Sequence, residues 1–116
     1  MPPIRSDRPL VWLHGEIRSP PFSREARIEA GELLRRLQKG ELLRLPQSRP
    51  LPIVGRACHE LRVVDANVSW RIVYYLGLEA VVILSVFPKR TRRTPIQEIG
   101  SSRRRLNQYL TDFESR

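Results

Sequence analysis

Three apolar runs, separated by two breaks of turn-forming residues, occupy residues 59–91. Side chains alternate in polarity in the first two runs, as is typical of β-strands whose two faces meet different surroundings. In the first run, one face holds His59, Leu61 and Val63, and the other holds Glu60 and Arg62. The second run, 70–75, sets Trp70, Ile72 and Tyr74 against Arg71, Val73 and Tyr75. The third, 80–87, is almost wholly apolar, which predicts a central strand that Pro88 ends.

A helix is predicted before these strands, because apolar residues recur at helical spacing. They are Ala26, Ala30, Leu33, Leu34 and Leu37. Ser23 is placed to cap its amino end, and Gly40 to stop it. Gly31, in its middle, is expected to let the helix lie close to the sheet. A short apolar run at 10–14 predicts a first strand, and residues 1–8 read as a flexible tail.

The segment after this helix predicts a short helical turn at 41–45 and then an irregular connection through three prolines. A last helix is predicted from Thr94 as N-cap, with Gln97 as its capping-box partner and an apolar side that includes Ile96 and Leu106. The expected fold is therefore α+β. It is one domain over 1–116, with a curled, largely antiparallel sheet of about four strands, an N-terminal helix on one face and a C-terminal helix.

The charge balance favours a polyanionic partner, most simply nucleic acid. The chain has 116 residues, with 21 Lys and Arg against 12 Asp and Glu, a net charge of +9. Only Lys39 and Lys89 are lysine, and arginine makes planar, bidentate contacts with phosphate. A GC-rich genome is the alternative source of arginine. Cys58 is the single cysteine, so an internal disulfide is excluded, and no metal or other cofactor is expected. Without a signal peptide or membrane-spanning run, the chain is expected to be cytoplasmic.

Several stretches together resemble the RelE/ParE superfamily of type II toxins, and most closely its HigB-like, phage-derived branch. They are FSREARIEAGELLRRLQKGE, HELRV, SWRIVYY, VVILSVFPKRTRRTP and RRRLNQY, within roughly residues 10–110. The resemblance implies a small RelE-like fold and a cytoplasmic toxin that is neutralised by a helix-turn-helix, HigA-like antitoxin. RelE-like and HigB-like members cut mRNA on the ribosome and so inhibit translation, whereas ParE-like members poison DNA gyrase. The present sequence is more similar to the mRNA-cutting branch. A gyrase inhibitor, or an inactive relative that only binds RNA or the antitoxin, remains the alternative.

Metal-independent RNA cleavage requires loss of the 2′-hydroxyl proton, stabilisation of a highly charged transition state and protonation of the 5′-oxygen. The resemblance implies that Arg62 and Arg71 face the scissile phosphate, with Arg90 or Lys89 close by. An ion pair with Glu60 is the structural alternative for these arginines. Glu60 stands where RelE-like members carry a lysine, and it is a candidate for taking the 2′-hydroxyl proton if its pKa is raised.

Tyr74 and Tyr109 are candidates for proton transfer or base stacking, although packing on the sheet is the alternative for Tyr74. Alternation places His59 on the core side, so it is expected to be a core-edge histidine. The remaining basic residues expected to bind RNA are Lys89, Arg92, Arg93, Arg103 and Arg104.

Overall fold

The computed structural model describes residues 7–66, 68–90 and 92–114. Most of the predicted tail, together with Asn67 of the first predicted turn, lies outside these residues. The elements, in chain order, are β1 (Leu10–Trp12), α1 (Arg24–Gln38), β2 (Ser48–Pro50), β3 (Cys58–Val64), β4 (Ser69–Leu76), β5 (Val81–Lys89), α2 (Ile96–Tyr109) and a π-helical segment (Leu110–Glu114).

The strands form one mixed sheet in the order β1-β5-β4-β3-β2, which confirms the predicted α+β class. β1 runs parallel to β5, and the other neighbours are antiparallel. The sheet has five strands rather than about four. The additional strand, β2, lies in the segment predicted to be irregular and pairs with β3. Its three residues end at Pro50, and proline is tolerated there because β2 is an edge strand.

The two helices pack on opposite faces of the sheet. The predicted apolar side of α1 is entirely buried against Leu61, Val63, Ile72 and Ile83. The Oγ of Ser23 accepts a hydrogen bond from the backbone N–H of Ala26 at 3.0 Å, which confirms the predicted cap. Leu106 of α2 packs on the other face, against Cys58, Val73, Val82 and Leu84. Side-chain alternation in the strands therefore decides which helix each residue meets.

Three local predictions are wrong. Residues 41–44 form no helical turn. Gly31 does not serve close packing, because a Cβ there would meet no atom within 4 Å. β5 continues through Pro88 to Lys89. β1 covers only the first three residues of β5, so Pro88 lies where the sheet edge is open and no ladder bond is lost.

The start of α2 also differs from the predicted capping box. Pro95 occupies the cap position, and no side chain caps the helix. Thr94 instead donates its hydroxyl hydrogen to the buried carboxylate of Glu60. A buried carboxylate without donors costs far more than an uncapped helix end, which water can satisfy. Ile96, which was expected on the apolar side, is 87% exposed.

Candidate anion-binding site

Four cations from four neighbouring strands lie close to one carboxylate where α2 begins, and three of them are within 4 Å of it. Register brings them together, because Arg49 lies opposite Glu60, Arg62 opposite Arg71, and Lys89 opposite Ser69. Because side chains alternate along a strand, those of Glu60, Arg62 and Arg71 all lie on the sheet face that α2 covers. Sequence analysis likewise placed these three residues on the face opposite His59. We call Arg49, Glu60, Arg62, Arg71 and Lys89 the cationic cluster.

Glu60 is the centre of this cluster and has no exposed surface. Its Oε1 lies 3.1 Å from Nε of Arg49, 3.4 Å from Nε of Arg71 and 3.9 Å from Nζ of Lys89. Its Oε2 accepts the hydroxyl hydrogen of Thr94 at 2.6 Å. Both oxygens are engaged and neither is open to solvent, so Glu60 is poorly placed to take a proton from a substrate. The arrangement matches the ion pair considered as the structural alternative for Arg71.

Arg71 is buried but incompletely satisfied. One terminal nitrogen donates to the carbonyl of Trp70 at 3.2 Å and to the hydroxyl of Ser69. Its Nε is close enough to Glu60 for an ion pair, yet the angles do not make a hydrogen bond. Burial lowers the pKa of Arg71, and neighbouring Arg62 lowers it further, while Glu60 opposes both effects. Positive charge is thus crowded at this position.

Arg62 faces Arg71 directly across the two strands, and such like-charged pairs are destabilising. Arg62 is half-buried, and among the described residues its guanidinium has no hydrogen bond or ion pair. An anion between the two side chains would relieve this repulsion and would supply acceptors for their unused donors.

Lys89 brings a titratable cation to the same place. Its side chain is 5% exposed, and its pKa is lowered by burial, with Glu60 opposing the shift and the nearby arginines adding to it. An ammonium group with a lowered pKa gives up its proton more readily, which is what general acid catalysis at a leaving oxygen requires. Sequence analysis placed Lys89 or Arg90 close to the scissile phosphate and also assigned Lys89 to RNA binding, but it did not predict the contact between Lys89 and Glu60.

The charges within the cluster do not balance. Four cations and one carboxylate leave a formal charge of +3 (4 − 1) around a largely buried centre. The amino end of α2 lies close by through the bond between Thr94 and Glu60, and it adds partial positive charge. Exposed Arg90 and Arg92 follow on the next loop. This end of the sheet therefore carries an excess of positive charge that a bound anion would offset.

The structure does not bring Tyr74 to this cluster. Tyr74 is fully buried on the α1 face, where its hydroxyl lies 2.6 Å from Oγ of Ser48 and its ring stacks on His59 at 5.4 Å. Burial raises the pKa of Tyr74 and lowers that of His59, which favours the neutral form of each side chain. The predicted core-edge position of His59 is confirmed.

Tyr109 lies at the opposite end of the sheet. Its ring meets Tyr75 edge-on at 6.3 Å. Tyr75 is four residues along β4 from Arg71, or about 13 Å at the usual rise of about 3.3 Å per residue. Burial raises the pKa of Tyr109. Tyr109 is therefore separated from the proposed phosphate position.

The basic residues expected to bind RNA divide between two places. Arg92 and Arg93 are exposed on the loop after Lys89. On the surface of α2, Arg103 donates to the carbonyl of Ile53 at 3.4 Å, and Arg104 to Oγ of Ser101 at 3.1 Å. Only the loop arginines, Arg92 and Arg93, lie close in the sequence to a residue of the cationic cluster, which is Lys89.

Sequence analysis missed two residues of the site, Arg49 and Thr94. Arg49 lies on the strand that was not predicted, and Thr94 was assigned to a helix cap. No local signal in the sequence points to either role. Within the described ranges, no group of three His, Cys, Asp or Glu side chains is placed to hold a metal ion. No helix among the described residues is long and apolar enough to cross a membrane.

This mixed sheet with helices on both faces is consistent with the small RelE-like fold that the resemblance implied. The family model described as "Phage derived protein Gp49-like (DUF891)" matches residues 20–107, which include the whole cationic cluster. The chain belongs to this Gp49-like family, a family of RelE-like, toxin-like proteins. A search of curated proteins gives no match.

Proposed function

We propose that this protein is the toxin of a type II toxin–antitoxin system, of the HigB-like branch, and that it cleaves mRNA on the ribosome. The observation that carries the proposal is the +3 cluster, in which Arg62 and Arg71 face each other with unused donors. The transition state of RNA cleavage carries more negative charge than the bound substrate. Fixed cations therefore bind it more tightly than the substrate, and this difference accelerates the reaction.

Each cluster residue has a distinct role in this proposal. Arg62 and Arg71 hold the scissile phosphate and stabilise its developing charge. Lys89 donates a proton to the 5′-oxygen as it leaves. Glu60 and Arg49 are positioning residues. Glu60 holds Arg71 and Lys89 in place, and Arg49 is the third cation in contact with the Glu60 carboxylate. Exposed Arg90 and Arg92 extend the cationic surface along the RNA chain.

The proposal includes the partners that accompany this activity. The substrate is mRNA in the ribosome, the protein acts in the cytoplasm, and a helix-turn-helix, HigA-like antitoxin neutralises it. Covering the cationic cluster would be enough for neutralisation, because an acidic segment would compete with the phosphate for the same guanidinium groups.

One observation favours a second function, gyrase inhibition of the ParE type. The cluster contains no evident proton acceptor, because Glu60 is fully engaged and Tyr74 and His59 lie on the other face of the sheet. A toxin that acts only by binding a protein needs no such group.

Induced expression of the wild type and of an Arg62→Ala variant tests the proposal. Arg62 has no partner to lose among the described residues, so the variant should fold normally. Removing one preorganised charge donor is expected to slow cleavage of translated mRNA on the order of 100-fold. Arg24→Ala is the matched control, since Arg24 is exposed at the start of α1 and its loss removes the same charge. Transcript ends and growth are both measured.

The outcomes separate the alternatives. Growth arrest with intact mRNA and blocked DNA supercoiling would identify gyrase as the target. Equal cleavage by the Arg62→Ala and Arg24→Ala variants would show that the cationic cluster is not the site. Lys89→Arg keeps the positive charge but removes the readily transferred proton. We expect that variant to bind RNA and to cleave it slowly.

A further inference from the structure

A groove of about 280 Å³ adjoins the cationic cluster and extends beyond the position proposed for the scissile phosphate. Arg62 and Arg71 form part of its wall, together with Ser69. Beyond them, Pro46 and Val64 provide an apolar surface, and Gln47 and Glu29 provide polar side chains. The volume is close to the lower limit for small-molecule sites, so it suits one nucleotide rather than a folded partner.

The strand register continues from the arginines into this groove. Val64 follows Arg62 by two residues on the same face of β3, and it lies opposite Ser69 on β4. A residue spacing of two along a strand is about 7 Å. A chain that places a phosphate between Arg62 and Arg71 and continues in this direction has its adjoining sugar and base over Val64.

The apolar part of the groove is open to solvent. Val64 is 75% exposed although it ends a strand whose other apolar residues are buried, and Pro46 is exposed as well. Exposed apolar side chains beside the unpaired guanidinium group of Arg62 match the mixed surface of a nucleotide, which has an anionic phosphate and flat, weakly polar faces on its base.

Two polar groups in the groove are free to recognise the edge of a base. The backbone of Gln47 is held to β3, since its carbonyl accepts from the N–H of Arg62 at 2.7 Å. Among the described residues, neither the Gln47 amide nor the Glu29 carboxylate has a hydrogen-bond or ion-pair partner. A carboxylate only accepts hydrogen bonds, so it favours a base with an exocyclic amino group over one with a carbonyl in its place.

We propose that this groove is a nucleotide subsite for single-stranded RNA, next to the phosphate held by Arg62 and Arg71, and that it prefers a base with an exocyclic amino group. Pro46 and Val64 pack against the base and sugar, and Gln47 and Glu29 contact the base edge. The proposal rests on the RNA-directed function above and assigns its sequence preference to the groove.

Binding of 2′-O-methyl hexanucleotides tests this proposal, because the blocked 2′-oxygen prevents cleavage. Oligocytidylate and oligouridylate form the matched pair, since the exocyclic amino group of cytosine is replaced by a carbonyl in uracil. We expect oligocytidylate to bind more tightly and Glu29→Gln to reduce that preference. Val64→Ser should weaken binding of both by about 3- to 10-fold through lost apolar contact. Leu78→Ser, at a position 95% exposed in the turn between β4 and β5, is the control.

The outcomes distinguish the groove from the phosphate site. The groove proposal is overturned if oligouridylate binds as tightly as oligocytidylate, or if Val64→Ser binds like Leu78→Ser. If in that case Arg62→Ala still abolishes binding, the phosphate site stands without the groove. If the wild type binds neither oligonucleotide, the groove proposal fails, whereas cleavage on the ribosome is decided separately by the transcript ends described above. Binding of hexaglutamate in place of RNA would instead identify a protein-binding groove.

Discussion

Replacing Glu60 with glutamine removes the single negative charge at the centre of the cationic cluster while preserving the size of the side chain. The carboxylate accepts one short hydrogen bond, at 2.6 Å from Thr94, and has three cations within 3.1 to 3.9 Å. The amide nitrogen of the variant would be a fifth donor, facing the four donors of Thr94, Arg49, Arg71 and Lys89. The two buried cations, Arg71 and Lys89, would then lack a counter-charge.

The magnitude follows from the burial of those cations. The side chains of Arg71 and Lys89 are 7% and 5% exposed, so water cannot replace the lost carboxylate. Arg49, at 35% exposed, can turn towards solvent and contributes little. Breaking a buried ion pair by removing one partner costs about 3 to 5 kcal/mol. For a chain of this size, the expected fall in melting temperature is about 10 to 20 °C.

Urea unfolding followed by circular dichroism measures the loss. Glu32→Gln on the exposed side of α1 removes the same charge and should change the free energy of unfolding by less than about 0.5 kcal/mol. If Glu60→Gln is as stable as that control, the structural role assigned to Glu60 is refuted. If the stable variant also fails to cleave RNA, Glu60 regains its place as the candidate general base.

Two further predictions concern stability. Gly55→Ala should destabilise the fold by about 1 to 3 kcal/mol, because a Cβ there would lie 2.6 Å from Cδ2 of buried Leu106. Gly31→Ala, in open space within α1, should instead stabilise the fold by about 0.5 to 1 kcal/mol. Urea unfolding of both variants checks the contrast. The pKa of Asp65 is lowered from 3.8 to about 2, chiefly by the backbone N–H of Ser23. The folded state therefore binds fewer protons than the unfolded state in this range. The contribution of Asp65 to stability should be present above pH 4 and lost as the pH falls through 2. Asp65→Asn should flatten that part of the acid unfolding curve, and an unchanged curve would contradict the assignment.

Strand alternation was enough to place the core of the candidate site. It put Glu60, Arg62 and Arg71 on one face and His59 and Tyr74 on the other, and the structure has the same division. Alternation is reliable here because one side of the sheet carries an uninterrupted apolar layer against α1. A register slip of one residue would bury both arginines in that layer, at a prohibitive cost.

Arg49 and Thr94 could not be recognised in this way. Arg49 belongs to a three-residue strand that is specified by its pairing with β3 rather than by its own pattern. Thr94 satisfies a local capping rule, but the structure uses its hydroxyl for a carboxylate 34 residues away in sequence. Pairing over such distances leaves no periodic signal in the chain.

The sequence by itself determined α1, the faces of β3 and β4, the α+β class and the excess of arginine, because these depend on local periodicity and composition. Only the tertiary structure decided what surrounds Glu60, which is buried and lies within 4 Å of three cations. It also placed Lys89 beside the carboxylate of Glu60 and left Tyr109 at the far end of the sheet. The physical reason is that burial and the meeting of charges arise only when distant strands pair, and desolvation then decides which polar groups must be satisfied.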